Sequence, residues 1–150
     1  MVTDKAFIAA ALQIFEGNHY VKILPIEGKH TAAVVRLIWS SRNGTDAHLY
    51  FVNGSIKGFC PEKVGMLTNI HFVNCSIPKA DFRHLTLQGC SFAYCDLANA
   101  DFRGCVMYGV RFLNCQIAGM NCRPKAAKGV SFHGCDTTEL LTNEKILLTA

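Results

Sequence analysis

The stretch CDLANADFRGCVMYGVRFLNCQIAGMN, residues 95–121, sets an apolar residue at every fifth position: Leu97, Phe102, Met107, Phe112 and Ile117. Extended in both directions, the series runs Leu67, Phe72, Ile77, Phe82, Leu87, Phe92 and onward through Cys122 and Ala127 to Phe132, and every member is apolar. The residues two places before these are Ile70, Cys75, Ala80, Leu85, Cys90, Cys95, Ala100, Cys105, Val110, Cys115, Met120, Lys125 and Val130. All are small or apolar except Lys125. Neither the helical period of 3.6 nor the strand period of 2 generates this spacing. A fixed short period implies a solenoid, in which each unit buries its face against its neighbours.

The units Ala80-Asp81-Phe82, Cys95-Asp96-Leu97 and Ala100-Asp101-Phe102 resemble the pentapeptide-repeat family, whose loose motif is A-(D/N)-L-x-x. The resemblance covers about residues 65–136. It implies a mainly β fold, a right-handed square β-helix with four units, or twenty residues, per coil. Positions twenty apart should then stack, and they match. Phe72, Phe92, Phe112 and Phe132 form one column, and Cys75, Cys95, Cys115 and Cys135 another. Asn and Gly recur at a further position of the beat, from Asn69 to Gly134, and suit tight corners.

Around this solenoid of about 3.5 coils the chain divides into three parts: 1–64, 65–136 and 137–150. Residues 1–64 read as a small α+β unit. A helix over 1–17 is followed by strands at 19–26, 32–41 and 48–52, the last two joined as a hairpin at Asn43-Gly44. Residues 137–150 read as a helical cap. Asp136-Thr137-Thr138-Glu139 has the form of a capping box, and Leu140, Leu141, Leu147 and Leu148 share a helical face. Between Arg123 and Gly129 the pattern lapses, and a bulging loop would keep Lys125 out of the core.

The 150 residues are half apolar, and no apolar run has the length of a membrane span. Seven of the eight cysteines fall at inward positions; Cys60 is outside the rhythm. A column of thiols one strand spacing apart is too long for one tetrahedral zinc. Buried free thiols suit a reducing compartment. The six histidines form no triad or H-E-x-x-H pattern, and no phosphate-binding glycine motif occurs. The reading is a protein without catalytic residues, cofactor, metal or small-molecule substrate.

Residues 65–135 carry seven basic and three acidic side chains, so the solenoid is the basic part of a chain of net charge +4. Arg83, Arg103 and Arg123 recur as an outward column. Asp81 and Asp101 stand two places before the first two and can neutralise them, but Arg123, Lys125 and Lys128 have no such acids. Val73, Ala93 and Leu113 form an outward apolar stripe, either a contact surface or the seat of the N-terminal unit. Tyr94 and Tyr108 also point outward, as do His71 and His133. These residues make the candidate partner-binding surface: Arg83, Arg103, Arg123, Lys125, Lys128, Tyr94 and Tyr108.

An α+β region ahead of a short solenoid is similar to some type III secreted effectors of enteric bacteria. It is similar too to the β-helical substrate-binding part of bacterial HECT-like ubiquitin ligases. The segments IFEGN (14–18) and HLYFVNG (48–54) carry this likeness. It implies a non-enzymatic protein–protein interaction module, in the bacterial cytoplasm or translocated into a host cell. No direct nucleic-acid contact is expected, and an open solenoid end offers a homodimer contact. The alternative implied by the family is a DNA mimic that inhibits gyrase or another topoisomerase. Such a mimic needs rows of carboxylates, and this solenoid is basic.

Overall fold

A computed structural model describes Lys22–Ile23, Leu49–Val52 and residues 65–146 of the chain. From Asn69 to Gly134 every fifth residue except Pro124 has a positive φ. Each is a corner, and the short straight segments between corners make four faces. The first face is a six-stranded parallel sheet of β1 (Lys22–Ile23), β2 (Leu49–Val52), β4 (Ile70–Val73), β6 (Ser91–Ala93), β8 (Arg111–Leu113) and β11 (Ser131–His133). The second face is marked by the parallel bridges Ser76–Asp96–Gln116. The third carries the bridges Asp81–Asp101–Asn121 and then β9 (Asn121–Cys122) paired with β12 (Leu141–Thr142). The fourth holds β3 (Met66–Thr68), β5 (Thr86–Gln88), β7 (Val106–Tyr108) and β10 (Ala126–Lys128), again parallel. This is the expected square β-helix, of about four coils.

Register delivers the expected columns. Phe72, Phe92, Phe112 and Phe132 are paired in turn. Their ring centroids lie 5.1, 5.2 and 4.7 Å apart with the planes almost parallel. Phe82 and Phe102 stack at 4.6 Å on the opposite face and meet Phe92 edge-on at 5.7 and 6.0 Å. Stacked and edge-to-face pairs both suit the ring quadrupole. Two aromatic columns thus fill the middle of the square. The cysteine columns take less room. Cys95 and Cys115 each donate the thiol to a carbonyl one coil below, Phe72 at 3.3 Å and Phe92 at 3.2 Å.

The structure corrects several expectations. The stack reaches back beyond residue 65: β2 pairs in parallel with β4 and with β1, and Phe51 extends the Phe column at 5.2 Å from Phe72. The partner expected for a hairpin, 32–41, lies outside the described residues, as do the helix over 1–17 and Cys60. The C-terminal helix is not present over 137–146. Asp136 Oδ1 accepts the Thr138 N–H at 3.0 Å and Leu140 N–H bonds Thr137 C=O at 3.1 Å, which makes another five-residue turn. Leu141 then pairs with Asn121. The capping-box residues turn the chain locally because a next coil is there to bond, a choice Asp and Thr always hold open. Residues 147–150 lie outside the described residues.

The bulge expected at 123–129 is also absent, since Ala126–Lys128 stays in register with Val106–Tyr108. What changes is the corner. Proline fixes φ near −65°, so Pro124 cannot take the left-handed conformation. In the two coils below, this corner closes with the Leu85 and Cys105 N–H groups on Phe82 and Phe102, at 3.3 Å each. Lys125 instead gives its N–H to Cys105 C=O at 2.8 Å. Pro124 is buried and the Lys125 side chain is exposed.

At several corners a long residue lies one coil below a glycine: Asn69 below Gly89, His84 below Gly104, Asn99 below Gly119 and Asn114 below Gly134. Asn99 Oδ1 fills the space that a Cβ at Gly119 would need, whereas a Cβ at Gly109 would meet nothing nearer than 4.0 Å. Gly119→Ala should therefore cost more than Gly109→Ala, where only the positive φ is penalised, by about 1 kcal/mol. The excess should vanish in the Asn99→Ala background, measured by urea unfolding. Phe92→Ala and Phe112→Ala should each lose about 3–5 kcal/mol. A loss under about 1 kcal/mol at both, well below that range, would refute the aromatic columns.

Candidate functional site: the basic edge of the coil

The third face presents an Asp–Arg ladder. Arg83 Nε and Nη2 reach the two carboxylate oxygens of Asp81 at 2.9 and 3.0 Å. One coil on, Arg103 grips Asp101 in the same two-pronged way, with Nη2 at 2.7 Å from Oδ2. Each Asp also accepts the backbone N–H of its arginine, at 3.1 and 3.0 Å. Arg83 leans toward Asp101 as well, at 4.0 Å. Burial pushes the Asp101 carboxyl up, but the hydrogen bonds and charge of Arg103 outweigh it and hold the carboxyl below its ordinary value. The ladder's contribution is thus present above the ordinary carboxylate pKa and is lost as pH falls through the depressed one. Exposed pairs of this kind add little to stability. Their effect is to cancel the charge of Arg83 and Arg103.

At the third rung the cancellation stops. The Asp position is held by Asn121, whose Oδ1 is buried with no hydrogen-bond partner. Arg123 is exposed and, among the described residues, in no ion pair. The missing left-handed corner at Pro124 turns Lys125 outward beside it. Lys128 lies on the adjacent fourth face, in register with Tyr108 one coil below. Arg123 and Lys125 therefore flank the corner between the third and fourth faces, with Arg83 and Arg103 below them on the third face, and Lys128 stands at the other end of the fourth face, beside the corner at Gly129. Glu144 occupies the same corner one coil above Pro124 and forms no ion pair within 4.0 Å.

The sequence groups seven candidate residues, and the coil separates them. Six lie on the third and fourth faces or their common edge. Tyr94 is on the corner between the first and second faces, diagonally across the square. It takes φ 55° where Asn74 and Asn114 hold the equivalent corners, and it is 63% exposed. Tyr108 is 43% exposed. His71 corrects another expectation. It points away from the core, yet it is only 5% exposed, with Nδ1 at 2.6 Å from Ser91 Oγ. His133 is exposed. The residue that sequence reasoning missed is Asn121. The column Asp81, Asp101, Asn121 was readable at the interval of twenty and marks where the neutralised ladder ends.

The thiols are placed for packing. Burial pushes Cys105 and Cys122 up to about 12 and raises Cys95 and Cys135. The described cysteines are free, and only Cys135 is less than fully buried. Among the described residues no group of three or more His, Cys, Asp or Glu is disposed to hold a metal, and no helix is long and apolar enough to cross a membrane. A thiol reagent added to native protein should modify Cys135 first among the seven described cysteines, because the thiolate is the nucleophile and access decides the rate. Denatured, unreduced protein should release all eight thiols. Four or fewer would show disulfides.

The model of the family described as "Pentapeptide repeat region" matches residues 66–141. No curated protein matches the chain. Among solved structures, a pentapeptide repeat protein from the thylakoid lumen of Arabidopsis thaliana is similar at 20% identity and TM-score 0.46, over 65% of this chain and 64% of that one. A pentapeptide repeat protein from the cyanobacterium Cyanothece 51142 is similar at 15% identity and TM-score 0.35, over 67% and 64%. QnrB1, a plasmid-mediated fluoroquinolone resistance protein, is similar at 13% identity and TM-score 0.32, over 81% and 56%. The chain thus spans less than two thirds of the length of each. With the repeat-region match covering half of the sequence, on a coil that turns a corner every five residues, the chain belongs to the pentapeptide repeat family.

Proposed function

We propose that the protein is a non-enzymatic interaction module that offers the cationic surface of Arg123, Lys125 and Lys128, which spans the fourth face, to an acidic surface of a protein partner. The observation that carries this reading is the end of the ladder. Below Asn121 each arginine of this column is cancelled by its own aspartate; at the third rung Arg123, with Lys125 and Lys128 after it, projects with no ion pair among the described residues. Charge of this kind steers encounter and selects partners of opposite sign. A coil tied to its neighbours by hydrogen bonds on all four faces loses little freedom on binding, which favours affinity. Tyr108 lies directly below Lys128 and supplies an aromatic contact of the type enriched at interfaces. The buried free thiols agree with work in a reducing compartment, the bacterial cytoplasm or a host cytosol reached by secretion.

The neutralised ladder argues for a proposed surface centred beyond Arg103. Arg103, the middle of the column, is neutralised, so Arg123 and Lys128 matter more. Pull-down from bacterial and host lysates should recover an acidic protein with the wild-type chain and lose it with Arg123→Glu/Lys128→Glu. Removal of both whole rungs, Asp81→Ala/Arg83→Ala/Asp101→Ala/Arg103→Ala, should leave capture nearly unchanged, and salt should weaken it. Capture that ignores both the charge reversal and the salt would end this reading. The reading as a DNA mimic fares differently on the same observation. The enzyme groove that holds DNA is basic, and a basic edge is repelled by it. Micromolar protein should leave gyrase supercoiling intact, and potent inhibition would favour the mimic.

A further inference from the structure

The C-terminal mouth of the coil differs from the rest. Phe112 and the described Phe residues before it in the column are at most 1% exposed, but Phe132 is only partly buried, as are Val130 and Cys135. A cavity of about 480 Å³ opens above them, and Lys128, Lys145 and His133 also line it. The strand below this cavity, β11, is the terminal strand of the six-stranded sheet. Its outer edge has a defined bonding pattern. Ser131 gives its N–H to Val110 C=O at 3.1 Å, and His133 C=O accepts the Asn114 N–H at 2.7 Å. Both residues turn their polar groups toward the coil below. In a parallel ladder alternate residues bond to opposite sides, so the N–H and C=O of Phe132 face the edge that no described strand covers.

We propose that this edge takes an extended acidic segment of a partner protein as an added strand. The inference rests on the reading of the chain as a module for acidic protein partners and names how one is held. Three features define the segment. One of its amides donates to Phe132 C=O, and one of its carbonyls accepts the Phe132 N–H, as in other strand additions. The residue lying over Phe132 points inward and is apolar, since it enters a cavity floored by Phe132, Val130 and Cys135. Strand side chains alternate, so its neighbours point outward, and carboxylates there meet Lys128 or Lys145 on one side and His133 on the other. The acids of the same coil, Asp136, Glu139 and Glu144, stand on its second and third faces and their corners. Asp136 is occupied by the Thr138 N–H and hydroxyl.

The test starts from random peptides displayed against the intact chain. Enriched peptides should alternate acid, apolar, acid. Methylating each amide nitrogen of the best synthetic peptide in turn should weaken binding about tenfold at alternate positions only, the effect of losing one hydrogen bond in a sheltered site. Lys128→Glu/Lys145→Glu, checked for an unchanged melting temperature, should weaken it by at least a similar factor. Exchange of the Phe132 amide should be fast in the free protein and slow in the complex. Binding that tolerates every methylation overturns strand addition while leaving the basic-edge reading in place. Enriched peptides that are basic, or apolar at helical spacing, overturn the proposal too. So does a Phe132 amide already protected in the free protein. Sedimentation then decides between a second copy and the chain's own residues as the occupant.

Discussion

One left-handed residue in every five is the constraint from which the rest of the structure follows. A chain that turns at fixed short intervals cannot build a helix or a long strand. It can only wind, bonding each short segment to the same segment one coil earlier. Glycine meets the requirement without strain and asparagine nearly so, and these two fill most corners from Asn69 to Gly134. Pro124 is the exception, because its ring forbids the conformation. The ladder survives there, since β10 remains in register with β7. The local result is an outward lysine at a position the rhythm assigns to the core. A single fixed dihedral therefore accounts for Lys125 standing outward beside Arg123.

Winding has a second consequence, which is that every side chain sits above its own equivalent. Favourable contacts are multiplied: rings stack on rings, and each thiol finds the same carbonyl one coil down. Unfavourable ones are multiplied too. A column of arginines one strand spacing apart repels itself, and the companion column of aspartates answers that repulsion. Glycine over asparagine at three corners is a steric counterpart, because there the asparagine side chain occupies the space a Cβ on the next coil would need. The unit of design in this fold is the column of residues twenty apart.

That is also why the sequence was legible to the extent it was. Phe92 and Cys95 announce their columns because the interval of twenty is unbroken around them. Residues that depend on a break were harder to place. Phe51 belongs to the Phe column, but it precedes Phe72 by 21 residues, one more than the period. Asp136 and Thr138 are as good at capping a helix as at turning a coil, and the choice was made by the strand already present at Asn121–Cys122. His71 points outward, and its burial depends on tertiary contacts that no periodicity reports. The candidate surface was half legible. The arginine column and its aspartates could be read, but the separation of Tyr94 from Tyr108 by the width of the first face appears only once the corners are laid out in space.

A neutralised ladder is a poor recognition surface, because its charges are already satisfied by partners two residues away. Recognition in such a molecule is therefore concentrated where the repeat fails to satisfy itself. Here the failures coincide toward one end. The acid is missing at Asn121, the corner is altered at Pro124, the lysines at 125 and 128 form no ion pair among the described residues, and the aromatic column ends in a half-covered Phe132 above which the sheet has no further described strand. Regular coils below hold these departures in fixed positions, and fixed positions are what a binding surface requires. The regular part of the sequence thus accounts for the fold, and the irregular part accounts for the place where the fold can act.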